Sequence, residues 1–167
     1  MQEPYSRKFE VDETLFASPG QRFANYLIDY LCQVGMMFGV FMIVIMVSIS
    51  NGNKEIVADI QSVSDVVKYA FVAAIVLLYY NVFELIFAVT IGKLVTNTVV
   101  VDQNGNKPTA DQILFRSISR LIPFEILSFL SISGRGWHDK ISKTYVVKRG
   151  ILETQIAQFN SQNTKKS

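Results

Sequence analysis

One cysteine, Cys32, excludes an intrachain disulfide, and nothing else implies an oxidising compartment. It lies inside a hydrophobic run, where a small packing role is expected. One histidine, His138, excludes every site that needs a second: there is no HExxH motif and no pair of histidine ligands. Nor is there a histidine at useful spacing from Ser117 or Ser119 to activate a hydroxyl. Gly92-Lys93 lacks the upstream glycine and the following Ser or Thr of a phosphate loop. No catalytic residue, metal or cofactor is therefore expected, and the chain reads as a non-enzyme. The net charge is only +2, too small to argue for nucleic acid or another polyanion as partner. Residues 1–20 also lack an apolar core. Glu3, Glu10, Asp12 and Glu13 stand there beside Arg7 and Lys8, so no cleavable signal is expected.

What the chain has instead is hydrophobic length. Half of its residues (50%) are hydrophobic, and they concentrate in two long runs. Tyr30 to Ile49 carries no charge over 20 residues. At ~1.5 Å per helical residue this is about 30 Å, the hydrocarbon thickness of a bilayer. The first run is read as a span over about 23–50, following the Ser18-Pro19-Gly20 turn. Arg22, Asn25, Tyr26, Asp29 and Gln33 fall on one polar stripe of that helix. Gly35 and Gly39 form a GxxxG on a different face, a weak signal better read as ordinary small-residue packing.

Asn51-Gly52-Asn53 ends the first span, and 51–68 reads as a polar loop with some amphipathic helical character. A second span is expected from about Tyr69 to Gly92, with Glu84 as its only internal charge. Asn81 and Glu84 are three residues apart and share a face. Leu94 to Asp102 then reads as a strand, and Asn104-Gly105 as a tight turn. Thr144 to Lys148 has the same β-branched character. The two strands are expected to pair outside the membrane, because an open sheet edge cannot face lipid. Phe9 to Asp12 is a further short strand or an extended arm.

The third segment, about 111–133, starts as an amphipathic helix with Arg116 and Arg120 one turn apart, and is broken at Pro123 before Glu125. Its mostly apolar part, Leu121–Ser133, is short for a span and suits a re-entrant or interfacial helix. Of the 16 lysines and arginines, only Lys54 and Lys68 fall in the 51–68 loop. The positive-inside rule then puts that loop outside and both termini in the cytoplasm. A full third crossing, the alternative, would put the basic tail outside. The tail, 150–167, is polar, with a short helix over Ile151–Phe159 and disorder from Gln162 onward.

A carboxylate in lipid costs ~2.5–3.5 kcal/mol at a helix centre and less toward the interface, so Asp29 and Glu84 need compensation. Arg22, Arg116 and Arg120 are the expected counter-charges, since the guanidinium fork can serve two carboxylates and keeps its charge when desolvated. Asp139 is expected to close the Trp137-His138 turn onto Arg135 or Lys140, or to reach Arg22. Such a network has three readings. It fixes helix register; or Asp29 or Glu84 takes up a proton or cation; or the arginines bind an anionic ligand or lipid headgroup. Asn25, Tyr26, Asn81, Lys93 and His138 are supporting polar residues.

Four stretches carry a resemblance: P-G-Q-R-F-A-N-Y-L-I-D at 19–29, F-E-L-I-F-A-V-T-I-G-K at 83–93, V-V-D-Q-N-G-N-K-P-T at 100–109 and G-W-H-D-K-I-S-K-T-Y-V-V at 136–147. In this order they resemble the RDD family of bacterial membrane proteins, named for an arginine and two aspartates. The resemblance carries these onto Arg22, Asp29 and Asp139, the T-x-G-K stretch onto Thr90, Gly92 and Lys93, and a later helix arginine onto Arg116. It implies a part in the transport of ions or small solutes.

The expectation is thus an all-α membrane protein of the bacterial inner membrane. Two long transmembrane helices are joined by a short broken re-entrant or interfacial helix and a small cytoplasmic β-hairpin-like element. Residues 1–18 form a cytoplasmic arm, 19–149 the membrane domain and 150–167 the tail. Two or three crossings hardly enclose a pathway, so a homo-oligomer or a partner membrane subunit is expected within the lipid bilayer. A non-transporting scaffold with a structural charge network is the alternative.

Overall fold

In the computed structural model, residues 8–53, 55–122 and 136–164 are described. Helix α1 (Pro19–Ser50) begins at a full capping box: the Ser18 hydroxyl accepts from Gln21 N, and Ser18 N–H donates back to the Gln21 amide oxygen at 3.0 Å. Pro19 occupies the first helical position, where its missing N–H costs nothing. The helix stops at Asn51, before Gly52 turns the chain at φ +89°. The residues that α1 buries are all polar: Arg22, Asn25, Asp29 and Gln33. Phe38, Ile43 and Met46 point outward and are more than half exposed. A polar buried face with apolar outer faces inverts the pattern of a helix in water.

A short helix α2 (Ile56–Ser62) lies in the 51–68 connection, and α3 (Asp65–Phe87) follows it. Both α1 and α3 are long and apolar enough to cross a membrane, with mean hydropathies of 2.3 and 2.1 in their most apolar windows. Only 6% and 17% of those windows are buried within the protein. That speaks against core helices of a soluble fold, whose apolar residues would be covered.

The second run ends five residues before the expected Gly92. Ala88 adopts a left-handed conformation at φ 56°, and its N–H closes on Glu84 O at 2.9 Å. Thr90 then caps a new short helix, α4 (Ile91–Val95), by accepting from Lys93 N. The strand expected over Leu94–Asp102 is accordingly shorter: β1 covers Thr98–Val101, entered through Asn97 at φ 54°. It pairs antiparallel with β2 (Tyr145–Lys148) in the register Val99↔Val147 and Val100↔Val146. The two strands lie far apart in sequence, so this is a two-stranded sheet, not a hairpin. The arm joins its edge through a bridge from Phe16 to Val147, and Ala17 N donates to Val146 O at 2.9 Å.

Helix α5 (Ala110–Ser119) opens with a second capping box, between Thr109 and Gln112, and supplies the start of the third segment. Residues 123–135 lie outside the described residues, and with them the question of a crossing there. Helix α6 (Trp137–Ile141) packs on α5. The tail forms α7 (Arg149–Thr164), longer than the expected Ile151–Phe159. Leu152 and Ile156 hold it against the sheet, in one cluster with Leu15, Val101 and Val147, and Phe159 meets the Phe9 ring edge-on at 5.7 Å between centroids.

Gly105 sits in the turn after β1 at φ +77°, and a Cβ there would fall 2.9 Å from the Phe9 ring. Gly105→Ala should therefore cost about 1–2 kcal/mol, from the left-handed backbone and from the ring it displaces. Protease cleavage of the 8–16 arm should quicken while membrane insertion stays normal. Unchanged proteolysis would contradict this.

Candidate functional site

The polar stripe of α1 meets α4, β1 and the elements that follow at one end of the helix pair, and a chain of buried ion pairs forms there. Arg22 Nη1 pairs with Asp139 Oδ2. The same guanidinium donates from Nε to Ala17 O at 3.3 Å and from Nη2 to Val146 O at 3.4 Å. Asp139 Oδ1 pairs with Arg116 Nη1 and lies 3.3 Å from His138 Nε2. Arg116 Nη1 also donates to Thr144 Oγ1 at 2.8 Å, while its Nε faces Glu84 Oε2 at 3.1 Å. This last contact is ionic and lacks the alignment of a hydrogen bond. Glu84 Oε1 takes Lys93 Nζ at 2.9 Å and Arg120 Nη2 at 3.0 Å. Arg120 stacks its guanidinium over Tyr80, 3.7 Å from the ring centroid.

Arg116 is thus the bridge. It touches both carboxylates and is fully buried, as Glu84 and Asp139 are. Burial by itself would raise the pKa of Asp139, but Arg116, His138 and Arg22 together hold it well below the ordinary carboxylate range. For Lys93 burial wins and draws the ammonium below its usual value, against the pull of Glu84.

Asp29 stands beside this chain but not in it. Its Oδ1 accepts from Tyr79 OH at 2.7 Å and Gly92 N at 2.8 Å, and its Oδ2 accepts from Thr90 Oγ1 at 2.7 Å. Among the described residues no cation lies within ion-pair distance of it. The expectation that an arginine neutralises Asp29 is thus corrected: neutral donors hold it, because the turn into α4 brings the Thr90 hydroxyl and the Gly92 N–H onto the stripe. Arg116 and Arg120 do serve Glu84, and Arg22 serves Asp139. Lys93, expected only as support, is a direct partner of Glu84.

Asn25 lies between α1 and β1, within 3.0 Å of Thr98 Oγ1. With its amide nitrogen turned toward Gly92 O, also at 3.0 Å, every donor meets an acceptor. Asn81 departs from expectation, since its amide donates to Leu77 O within its own helix at 2.8 Å. Tyr26 is more than a third exposed and stacks on Tyr30. Thr90, the Tyr79 hydroxyl and Thr144 are site residues that charge counting passes over. Thr90 leaves a readable trace, a threonine at the start of a helix, where such residues cap.

The assembly is that of a membrane protein: two apolar helices whose shared inner face carries buried, paired charges. Sequence comparison agrees, matching the RDD family over residues 16–143, and the chain belongs to that family. No curated protein and no solved structure matches it.

Proposed function

We propose that this RDD protein moves or exchanges an ion or small solute across the bacterial inner membrane, with Asp29 on the path. One observation supports the reading above the others. Asp29 is a buried carboxylate of a membrane helix with three neutral donors and no counter-cation in contact among the described residues. Intramembrane carboxylates of this kind commonly mark ion or proton pathways. Glu84 and Asp139, each held by at least two cations, serve as its rigid frame. The reading takes the 51–68 loop as external and both termini as cytoplasmic, following the lysines and arginines. Two helices enclose no pore, so the working unit is a homo-oligomer or includes a partner subunit. The protein carries out no covalent chemistry in this reading.

A second reading has its own support in the unbroken run of ion pairs from Arg22 to Lys93, which suits a scaffold that fixes helix register. One substitution separates the two. Asp29→Asn keeps the shape and removes the charge. The new amide nitrogen can face Thr90 Oγ1, which is free to reverse its hydroxyl, while Tyr79 and Gly92 keep their acceptor. Folded protein at near-normal levels is therefore the expected outcome. In sealed vesicles of purified protein, cation-driven pH change should be present in the wild type and lost in Asp29→Asn. Silence from the wild type with Na⁺, K⁺ and Li⁺ would sink monovalent cation/proton exchange.

A further inference from the structure

Helix α5 turns the amphipathic pattern inside out. It buries Ile113, Arg116 and Ser117, while Leu114, Phe115 and Ile118 stand exposed. Leu121 and Ile122, also exposed, prolong the last turn through N–H bonds to Ile118 O at 3.0 Å and Ser119 O at 3.3 Å. At 3.6 residues per turn these five exposed side chains form one stripe, about 120° wide. Asp111 shares that side of the helix, but in the first turn. From this stripe and the depth it reaches, we infer that α5 is a half-inserted helix. It enters the leaflet at which α1 starts and α3 ends, and its stripe contacts the acyl chains there.

Three observations carry this. The first is that α5 keeps no wet face. Beyond its first turn every exposed residue is apolar, and the arginines turn inward to Glu84 and Asp139. A helix lying flat on a bilayer holds its charges toward water instead.

The second is depth. Contacts that advance along the chain into α5 step backward along α3. Lys107, just ahead of α5, donates from Nζ to Ile86 O at 2.9 Å, and Arg116 faces Glu84. Arg120 stacks on Tyr80, and Ile122 lines one cavity with Val76. From Ile86 to Val76 α3 covers about 15 Å, and from Asp111 to Ile122 the chain covers about 16 Å at the same helical rise. Equal lengths mean that α5 runs upright beside α3, not across it. They also come to about half of a ~30 Å hydrocarbon layer, which brings Ile122 near the midplane.

The third is continuity. α5 packs on α3, whose own apolar faces are long enough to span the bilayer and are little covered by protein. Whatever solvates α3 at this depth solvates the stripe beside it. α6 is back at the entrance, since Asp139 pairs with Arg22 in the first turn of α1. Glu84 and its cations then lie at hydrocarbon depth, where only protein groups can compensate them. None of this requires transport.

The test places single nitroxide labels on full-length protein carrying Cys32→Ala, reconstituted in phosphatidylcholine vesicles. The labelled variants are Asp111→Cys, Leu114→Cys, Ile118→Cys and Ile122→Cys, with Gln158→Cys on α7 as the aqueous reference. All five side chains are exposed, so the label has room. Electron spin resonance compares collisions with oxygen, which concentrates in lipid, and with a water-soluble nickel complex. Nickel should dominate at Asp111→Cys and oxygen along the stripe. Depth should grow by about 6 Å from Leu114→Cys to Ile118→Cys, and again to Ile122→Cys. Any two stripe positions give the slope, so one variant that fails to fold leaves the test intact. Nickel access at Ile118→Cys equal to that at Gln158→Cys puts α5 in water and overturns the proposal. Equal depth along the stripe does so too, because the helix then lies flat. Protection from both reagents would mean a protein cover, such as a second copy, and overturns it as well.

Discussion

Asp139→Asn should lose about 3–5 kcal/mol of stability, the usual cost of removing one partner from a buried ion pair. The reason is specific to its place. Asp139 is fully buried and takes both Arg22 and Arg116, so neutralising it leaves two guanidinium groups facing an amide that can accept from one of them. Thr144 and the carbonyls of Ala17 and Val146 would still hold the arginines in place. They would be in place and uncompensated. Thermal unfolding in detergent, followed by loss of the monodisperse peak, reads the effect directly. Adding Arg22→Met to Asp139→Asn should recover part of the loss, because it removes one of the two orphaned charges. The double variant should be more stable than the sum of the single effects allows. Strict additivity would mean that the two side chains act independently and would contradict the ion-pair chain.

The same carboxylate fixes a dependence on pH. Its folded pKa lies below the ordinary 3.8, so its contribution is complete above about pH 4 and is lost as the pH falls further. Wild-type unfolding should thus show an acid limb below about pH 4 that flattens in Asp139→Asn.

Much of this was legible in the sequence, and the reason is burial cost. A charge within an apolar helix must be compensated, so Arg22, Asp29, Glu84 and Arg116 could be singled out without a structure. The polar stripe of α1 was readable too, since helical periodicity alone puts Arg22, Asn25, Asp29 and Gln33 on one face, and all four are buried. Pairing was not readable. Which carboxylate takes which cation depends on where the chain turns after α3, and that turn rests on Ala88 in a left-handed conformation no composition signals. Once α4 folds back there, the Gly92 amide and Thr90 reach Asp29 first, and Lys93 swings onto Glu84. The β-branched run from Leu94 misled for the same reason. The strand preference of Val95 yields to the helix that Thr90 caps, and Leu94 is itself a good helix former.

Gly92 is where that fold-back is tightest, and Gly92→Ala should be far more damaging than the same change at Gly20, Gly35, Gly39 or Gly150. A Cβ at this position would fall 2.3 Å from Asn25 O and 2.9 Å from Asn25 Cα. Both are backbone atoms in the second turn of α1, so no side chain can swing aside, and α4 itself must retreat. Retreat lengthens the Gly92 N–H bond to Asp29, now 2.8 Å, and draws Thr90 and Lys93 away from the carboxylates they serve. Overpacking of this kind costs about 3 kcal/mol, and the weakened contacts to Asp29 and Glu84 add to it. Gly92 takes no positive φ, so the demand on it is for space alone. The comparison with Gly35→Ala makes the point testable: a Cβ there meets nothing within 4 Å, and stability should stay within about 0.5 kcal/mol of wild type. A Gly92→Ala protein that unfolds like the wild type would mean that α4 does not pack on α1 as described. The hydroxyl and amide cradle around Asp29 would then need another origin.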